Sequence, residues 1–249
     1  MKPYLSNILF SLALVSTLFH HAKVHGETIK VILLSEANPP YTIRQNGKFG
    51  GIHIDIFSRL SALTEHTFTM HAYTPPRAVK EFDLGRVDIE PGINELWRQS
   101  SPVKALYSIA YASSTDLLVF KKQNRLAFST PADLTGKTIG VIRSYAYPKY
   151  EDAFSSGAIK RVDGLSEQHL LKLLQADRVK YIFIGAQSYY YHQKHHPQYR
   201  EFEVGGVINQ VEVKMRLHPN KAYLLPQLND ALGVMVRQGE IKAIYNKYQ

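Results

Sequence analysis

The stretch TIKVILLSEANPPYTIRQNGKFGGIHIDIFSRLSALTEHTFTMHAY, residues 28–73, decides the fold class. Thr28–Leu34 alternates and is rich in β-branched residues, so it reads as a strand. Asn38-Pro39-Pro40-Tyr41 stops it, because two prolines continue neither a helix nor a ladder. Gln45-Asn46-Gly47-Lys48 reads as a hairpin turn. From Gly51, Ile52, Ile56, Leu60 and Leu63 recur at helical spacing, and Ile54 and Phe57 widen the face. Thr67–Tyr73 alternates as a second strand. Arg77–Leu84 reads as a short helix closed by Gly85, and Val87-Asp88-Ile89 opens a third strand. Strands and helices in strict alternation indicate an α/β domain with a mostly parallel sheet.

The pattern then restarts. Asp116–Phe120 reads as a strand and Lys121–Asn124 as a polar linker, followed by a helical turn at Pro131-Ala132-Asp133-Leu134 and a strand at Thr138–Ile142. Ser166 caps a helix carrying Leu170, Leu171, Leu173 and Leu174, and Tyr181–Ile184 is a buried strand. Val211–Leu217 is another strand, and Leu224–Val236 and Gly239–Tyr248 are two amphipathic helices with no strand partner nearby in sequence. A second αβ unit followed by a return to helices suggests two lobes.

Composition removes several function classes. No cysteine means no disulfides, thiolate zinc sites or cysteine nucleophiles. The formal charge of +9 comes from singly scattered lysines and arginines, without the basic block that nucleic-acid backbones favour, so no nucleic-acid partner is expected. Residues 1–26 start with Met1-Lys2 and run apolar from Ile8 to Phe19. That run is too short to cross a bilayer, which takes roughly 20 residues. With Val24-His25-Gly26 after it, the segment reads as a cleavable signal peptide, and an exported cysteine-free chain fits a periplasm.

Several motifs in order now add up to a resemblance. They are Pro39-Pro40-Tyr41, Asn46-Gly47-Lys48, Gly51-Ile52-His53-Ile54-Asp55-Ile56, Gly85-Arg86-Val87-Asp88, Tyr107-Ser108-Ile109-Ala110-Tyr111, the run Asp133–Val141, and Arg237-Gln238-Gly239-Glu240-Ile241 through Tyr248. Over nearly all of 28–248 the chain resembles the type II periplasmic solute-binding proteins of ABC transporters, specifically the polar-amino-acid-binding family 3. The resemblance implies an α/β, two-lobed fold, each lobe a mostly parallel sheet flanked by helices, joined by two crossover segments. It places lobe 1 at 27–119 and 212–249 and lobe 2 at 120–211. It further implies a small-molecule ligand between the lobes and a membrane permease of an ABC transporter or a sensor as partner; a chain that must open and close while docking, with no long exposed apolar stripe, is expected to be a monomer, and a binder without cofactor rather than an enzyme.

Two departures bear on the ligand. The family's carboxylate-clamping arginine falls at Ser101, with Arg98 displaced three residues earlier, and the strand-end aspartate that holds an ammonium is replaced by Gly185. The expectation is an anionic ligand clamped by Arg98 that needs no ammonium group.

Candidate ligand residues follow. Tyr41 is a rigidly placed aromatic with a polar tip, and Trp97-Arg98 pairs a stacking surface with a carboxylate fork. Ser144 and Tyr145 follow the second-lobe strand, where a helix opening would point N–H groups at an anion. Arg77 starts a short helix that can face the cleft, and Gln187 follows the strand end at Gly185. His192, His195 and His196 have a metal-like spacing but no carboxylate among them, and read as a solvated loop. A dehydratase-like enzyme on the same fold, with Glu36, Glu90 or Glu95 as acid, is the alternative from another class.

Overall fold

The computed structural model describes residues 26–34, 38–143 and 145–248, so all but the last residue of the segment 1–26, read from the sequence as a signal peptide, lies outside the described residues. The elements are β1 (Thr28–Leu34), β2 (Ile43–Gln45), β3 (Lys48–Gly50), α1 (Ile52–Thr64), β4 (Thr67–Tyr73), α2 (Pro75–Asp83), β5 (Ile89–Ile93), β6 (Leu106–Tyr107) and β7 (Ala112–Lys121). They continue as β8 (Thr138–Ile142), α3 (Glu151–Ser155), β9 (Lys160–Gly164), α4 (Glu167–Gln175), β10 (Tyr181–Gly185), α5 (Ala186–His195), β11 (Phe202–Leu217), α6 (Leu225–Arg237) and α7 (Glu240–Lys247).

Among the described residues, nine strands form one sheet in the order β4-β1-β5-β11-β7-β10-β8-β9, with β6 added beside β11. β1 runs parallel to β4 and β5, and β8 runs parallel to β9 and β10. Between these parallel halves lie β7 and β11, antiparallel to each other from Phe202↔Lys121 to Val213↔Ala112. These two strands are the crossover segments. The fold is two-lobed α/β, as expected.

Each half has its own interior. Ile29, Val31, Phe57, Leu60, Met215 and Leu232 belong to one buried cluster, drawn from the chain's beginning and end. In the other half the strands alternate between two faces: Leu117, Val119, Ile182 and Ile184 pack on one, Leu118, Phe120 and Phe183 on the other. A parallel sheet covered on both sides requires such continuous apolar runs. Burying each of these side chains contributes about 1.5–3 kcal/mol.

Three sequence expectations need correction. The strand expected at Val211–Leu217 is far longer, because β11 begins at Phe202. Gly205-Gly206 masks its alternation, and the register slips at Val204/Gly206 and Val207/Asn209 through local bulges. The histidine run is not a solvated loop: α5 carries His192 and His195, His196 follows its last residue, and His192 is 2% exposed. Arg143 ends β8 in a turn and Tyr145 is not helical, so the expected helix opening is not found among the described residues; the next helix, α3, starts at Glu151.

Candidate functional site

A cavity of about 150 Å³ opens between the halves, walled by the ends of β1 and β5, by the start of β7, and by the loop after β8. Its position beyond the carboxyl ends of parallel strands is where open α/β sheets bind ligands.

Tyr41 is set by local backbone. The Pro40 and Tyr41 carbonyls accept the N–H groups of Ile52 and His53, tying the loop to the start of α1. Gly51 makes that approach possible at φ 105°, since a Cβ there would sit 2.6 Å from the Pro40 oxygen. The Tyr41 ring lies 5.4 Å from His53 and edge-on to Tyr245 at 6.4 Å. Burial holds His53 neutral, lowering its pKa to about 4, and leaves its Nε2 without a partner.

Trp97 and Arg98 lie on a 3-10 turn, Glu95–Arg98, whose start Asn94 caps through its side chain to the Leu96 N–H. Both line the cavity. The Arg98 fork is already engaged: it donates to both oxygens of Glu90, at 2.5 and 3.2 Å. Behind it, Arg216 is fully buried, donates to Glu90 at 3.0 Å and to Ser101 at 2.6 Å, and lies 3.5 Å from Asp83. Its guanidinium also stacks 3.9 Å over the Phe82 ring. Two arginines and two carboxylates therefore balance one another within this network.

The opposite wall is different. Asp116 lies on the crossover strand β7, and Glu167 opens α4; both line the cavity with Tyr145. Burial raises Asp116 to about 6. Glu167, 6% exposed, is pushed up to about 8 by burial and then by the neighbouring Asp116 charge, against one hydrogen bond from the Gly185 backbone. Its Oε2 has no partner. Among the described residues, neither carboxylate has a basic neighbour in an ion pair.

Of the sequence candidates, Tyr41, Trp97, Arg98 and Tyr145 come together on the cavity wall. Arg77 does not: it points outward, 60% exposed, and pairs with Glu81 at 3.0 Å, while Pro75, Ala78 and Val79 beside it face the cavity. Gln187 is half-buried in the first turn of α5, outside the lining, and Ser144 lies outside the described residues. Sequence reasoning missed Asp116, Glu167, His53 and Tyr245. The available signal for Asp116 was a carboxylate leading straight into the buried run Leu117–Phe120.

The family model "Bacterial extracellular solute-binding proteins, family 3" matches residues 31–249. No curated protein matches by sequence. A histidine kinase sensor domain with similarity to periplasmic binding proteins superposes with TM-score 0.76 at 19% identity, over 89% of this chain and 95% of that one. The arginine-, lysine-, histidine-binding protein ArtJ from Geobacillus stearothermophilus gives 0.73 at 19%, over 89% and 94%. The GluR0 ligand-binding core complexed with L-glutamate gives 0.71 at 16%, over 91% and 99%. At these identities the likeness establishes the fold alone. The family match runs from the first strand through the last helix of that fold, and the chain belongs to the bacterial extracellular solute-binding proteins, family 3.

Proposed function

We propose that this protein captures a small polar solute between two lobes, 27–119 with 212–249 and 120–211, and delivers it to a partner in the membrane. The observation that carries this reading is the cavity itself. It is walled by rigid strand ends from both halves and holds aromatic faces, a buried ion network and unpaired carboxylates. Such a concave, partly apolar site with a few convergent polar groups suits a small molecule. Closure is a hinge motion on β7 and β11, stabilised by contacts that exist only when the halves meet.

The partner is a permease of ABC type, and the cellular place is the periplasm, reached through the signal peptide read at 1–26. The protein acts as a monomer and as a binder rather than an enzyme. Family membership supports this, as do neighbours named for binding arginine, lysine, histidine or glutamate. Sensing is the second reading, favoured by the similarity to a histidine kinase sensor domain. Among the described residues, no helix is long and apolar enough to cross a membrane.

The anionic ligand expected from Arg98 meets an obstacle. Arg98 is the one basic side chain on the described lining besides the neutral His53, and an incoming anion must compete with Glu90 for its fork.

A thermal-shift screen of small polar metabolites tests the binding reading. A ligand at 100 times its dissociation constant stabilises by about 2.7 kcal/mol. Absence of any shift across a broad screen would overturn it.

A further inference from the structure

We infer that the cavity is a receptor for an organic cation, an ammonium or guanidinium group seated between Asp116 and Glu167, and that the ligand needs no carboxylate. This rests on the ligand-binding reading above and adds the charge and chemical class of the solute.

Charge balance within the cavity wall favours a cation. Arg98 and Arg216 are matched by Glu90 and Asp83 within hydrogen-bonding or ion-pair distance, so that side of the cavity offers no spare charge. Among the described residues, Asp116 and Glu167 have no such partner. A buried carboxylate without a hydrogen-bonded counter-charge is costly, and folded proteins rarely keep one without a use. Here two lie close enough for the charge of one to act on the other, and one carries an oxygen with no partner at all. Both belong to the cavity wall.

The surroundings match the same ligand. Tyr41, Trp97, Tyr145 and Tyr245 line the cavity, and ring faces attract organic cations electrostatically. His53, the one imidazole on the described lining, is held neutral by burial and does not repel a cation. Gly185 contributes by having no side chain. A Cβ there would lie 3.5 Å from Glu167 Oε1, in the space a ligand group would share. At about 150 Å³ the cavity takes a molecule of a few heavy atoms, such as a short diamine or a guanidino-alkylamine.

The test uses matched probes on the full chain by isothermal titration calorimetry at pH 8. Putrescine and agmatine carry cations and no carboxylate, and succinate and glutarate are their anionic counterparts. The expected result is saturable binding of putrescine or agmatine and none of the diacids. Asp116→Asn and Glu167→Gln should each weaken amine binding at least tenfold, while Arg44→Ala, in the exposed hairpin, leaves it unchanged. Both carboxamide variants keep the side-chain shape and remove a carboxyl group that has no counter-charge among the described residues, so their melting temperatures should match or exceed that of the wild type. Diacid binding without amine binding overturns the cation assignment and leaves the solute-binding reading standing. Amine binding untouched by both variants overturns the assigned residues. If neither amine binds at millimolar concentration the proposal fails, and the metabolite screen decides separately whether the protein binds solutes.

Discussion

Asp116 of β7 and Gly185 of β10 stand directly opposite each other across an antiparallel strand pair. Directly opposed residues in such a pair project to the same face, with Cβ positions about 5 Å apart. The carboxylate that the family resemblance places at the end of β10 is absent at Gly185, and its neighbour across the ladder supplies one to the same space. Glu167 adds a second from α4, anchored by the Gly185 N–H. The loss at one position thus coincides with two gains beside it.

The first prediction concerns pH. Folding raises Glu167 from 4.5 to about 8, so the folded chain holds a proton that the unfolded chain has released. This stabilisation is complete below the unfolded value and is lost as pH rises toward 8. The buried histidines His53 and His192, lowered to about 4, act in the opposite sense until the unfolded imidazoles have released their protons, about one pH unit above their reference value of 6.5. Between pH 6.5 and 8.5 the unliganded protein should therefore lose a net of about 1 kcal/mol. Urea titrations across that range measure it, and Glu167→Gln should flatten the profile. Stability rising with pH in this window would refute the assignment.

A second prediction tests the buried ion network. Arg216 is fully buried and serves Glu90, Ser101 and Asp83 together. Arg216→Met leaves Asp83 without a counter-charge and Glu90 with Arg98 alone, and should cost about 3–5 kcal/mol. The midpoint of chemical unfolding should fall with its slope unchanged. Asp83→Asn in the same background should recover part of the loss, because it removes the carboxylate left without a counter-charge.

Ser188 provides a third. It is buried on α5, and its hydroxyl donates to the Pro39 carbonyl at 2.7 Å, joining the second half to the loop that carries Tyr41. A neutral hydrogen bond contributes about 1 kcal/mol. If the bond belongs to the closed arrangement, Ser188→Ala should raise the dissociation constant of a bound amine about fivefold, mainly through faster release. Stopped-flow displacement would show this, and an unchanged release rate would separate Ser188 from closure.

Backbone geometry yields a fourth. Gly51→Ala forces a side chain into φ 105° and within 2.6 Å of the Pro40 oxygen, so it should destabilise by more than about 2 kcal/mol and displace Tyr41. Gly157→Ala has φ 75° but nothing within 4 Å, and should cost only about 1–2 kcal/mol. Thermal melts of the two variants compare them directly. Equal losses would mean that the Tyr41 loop yields to the new methyl.

Trp97 is the only tryptophan in the chain and lies on the cavity wall. Its emission should shift when a ligand fills the cavity, and Trp97→Ala should weaken binding by roughly tenfold, in line with loss of an aromatic face. A saturating ligand that leaves the emission unaltered would place the binding site elsewhere.

The sequence by itself determined the two αβ units and most strand and helix positions, and it singled out Tyr41, Trp97, Arg98 and Tyr145 as candidates, which only the fold brings to one wall. Those elements are legible because one buried face imposes a period, as in the leucines of α4 or the alternation of β1. Where burial uses other residues the period disappears. α5 buries Ser188, Tyr189 and His192, and β11 passes through Gly205-Gly206 and two register slips, so neither announced itself. The charge of the cavity was decided only by the tertiary structure. In sequence, Asp116 precedes an apolar run and Glu167 follows a helix cap, each unexceptional. Folding sets Asp116 opposite Gly185, brings Glu167 beside it, and turns the Arg98 fork onto Glu90. Electrostatic interaction depends on distance and on the removal of water, and a one-dimensional order of residues carries neither.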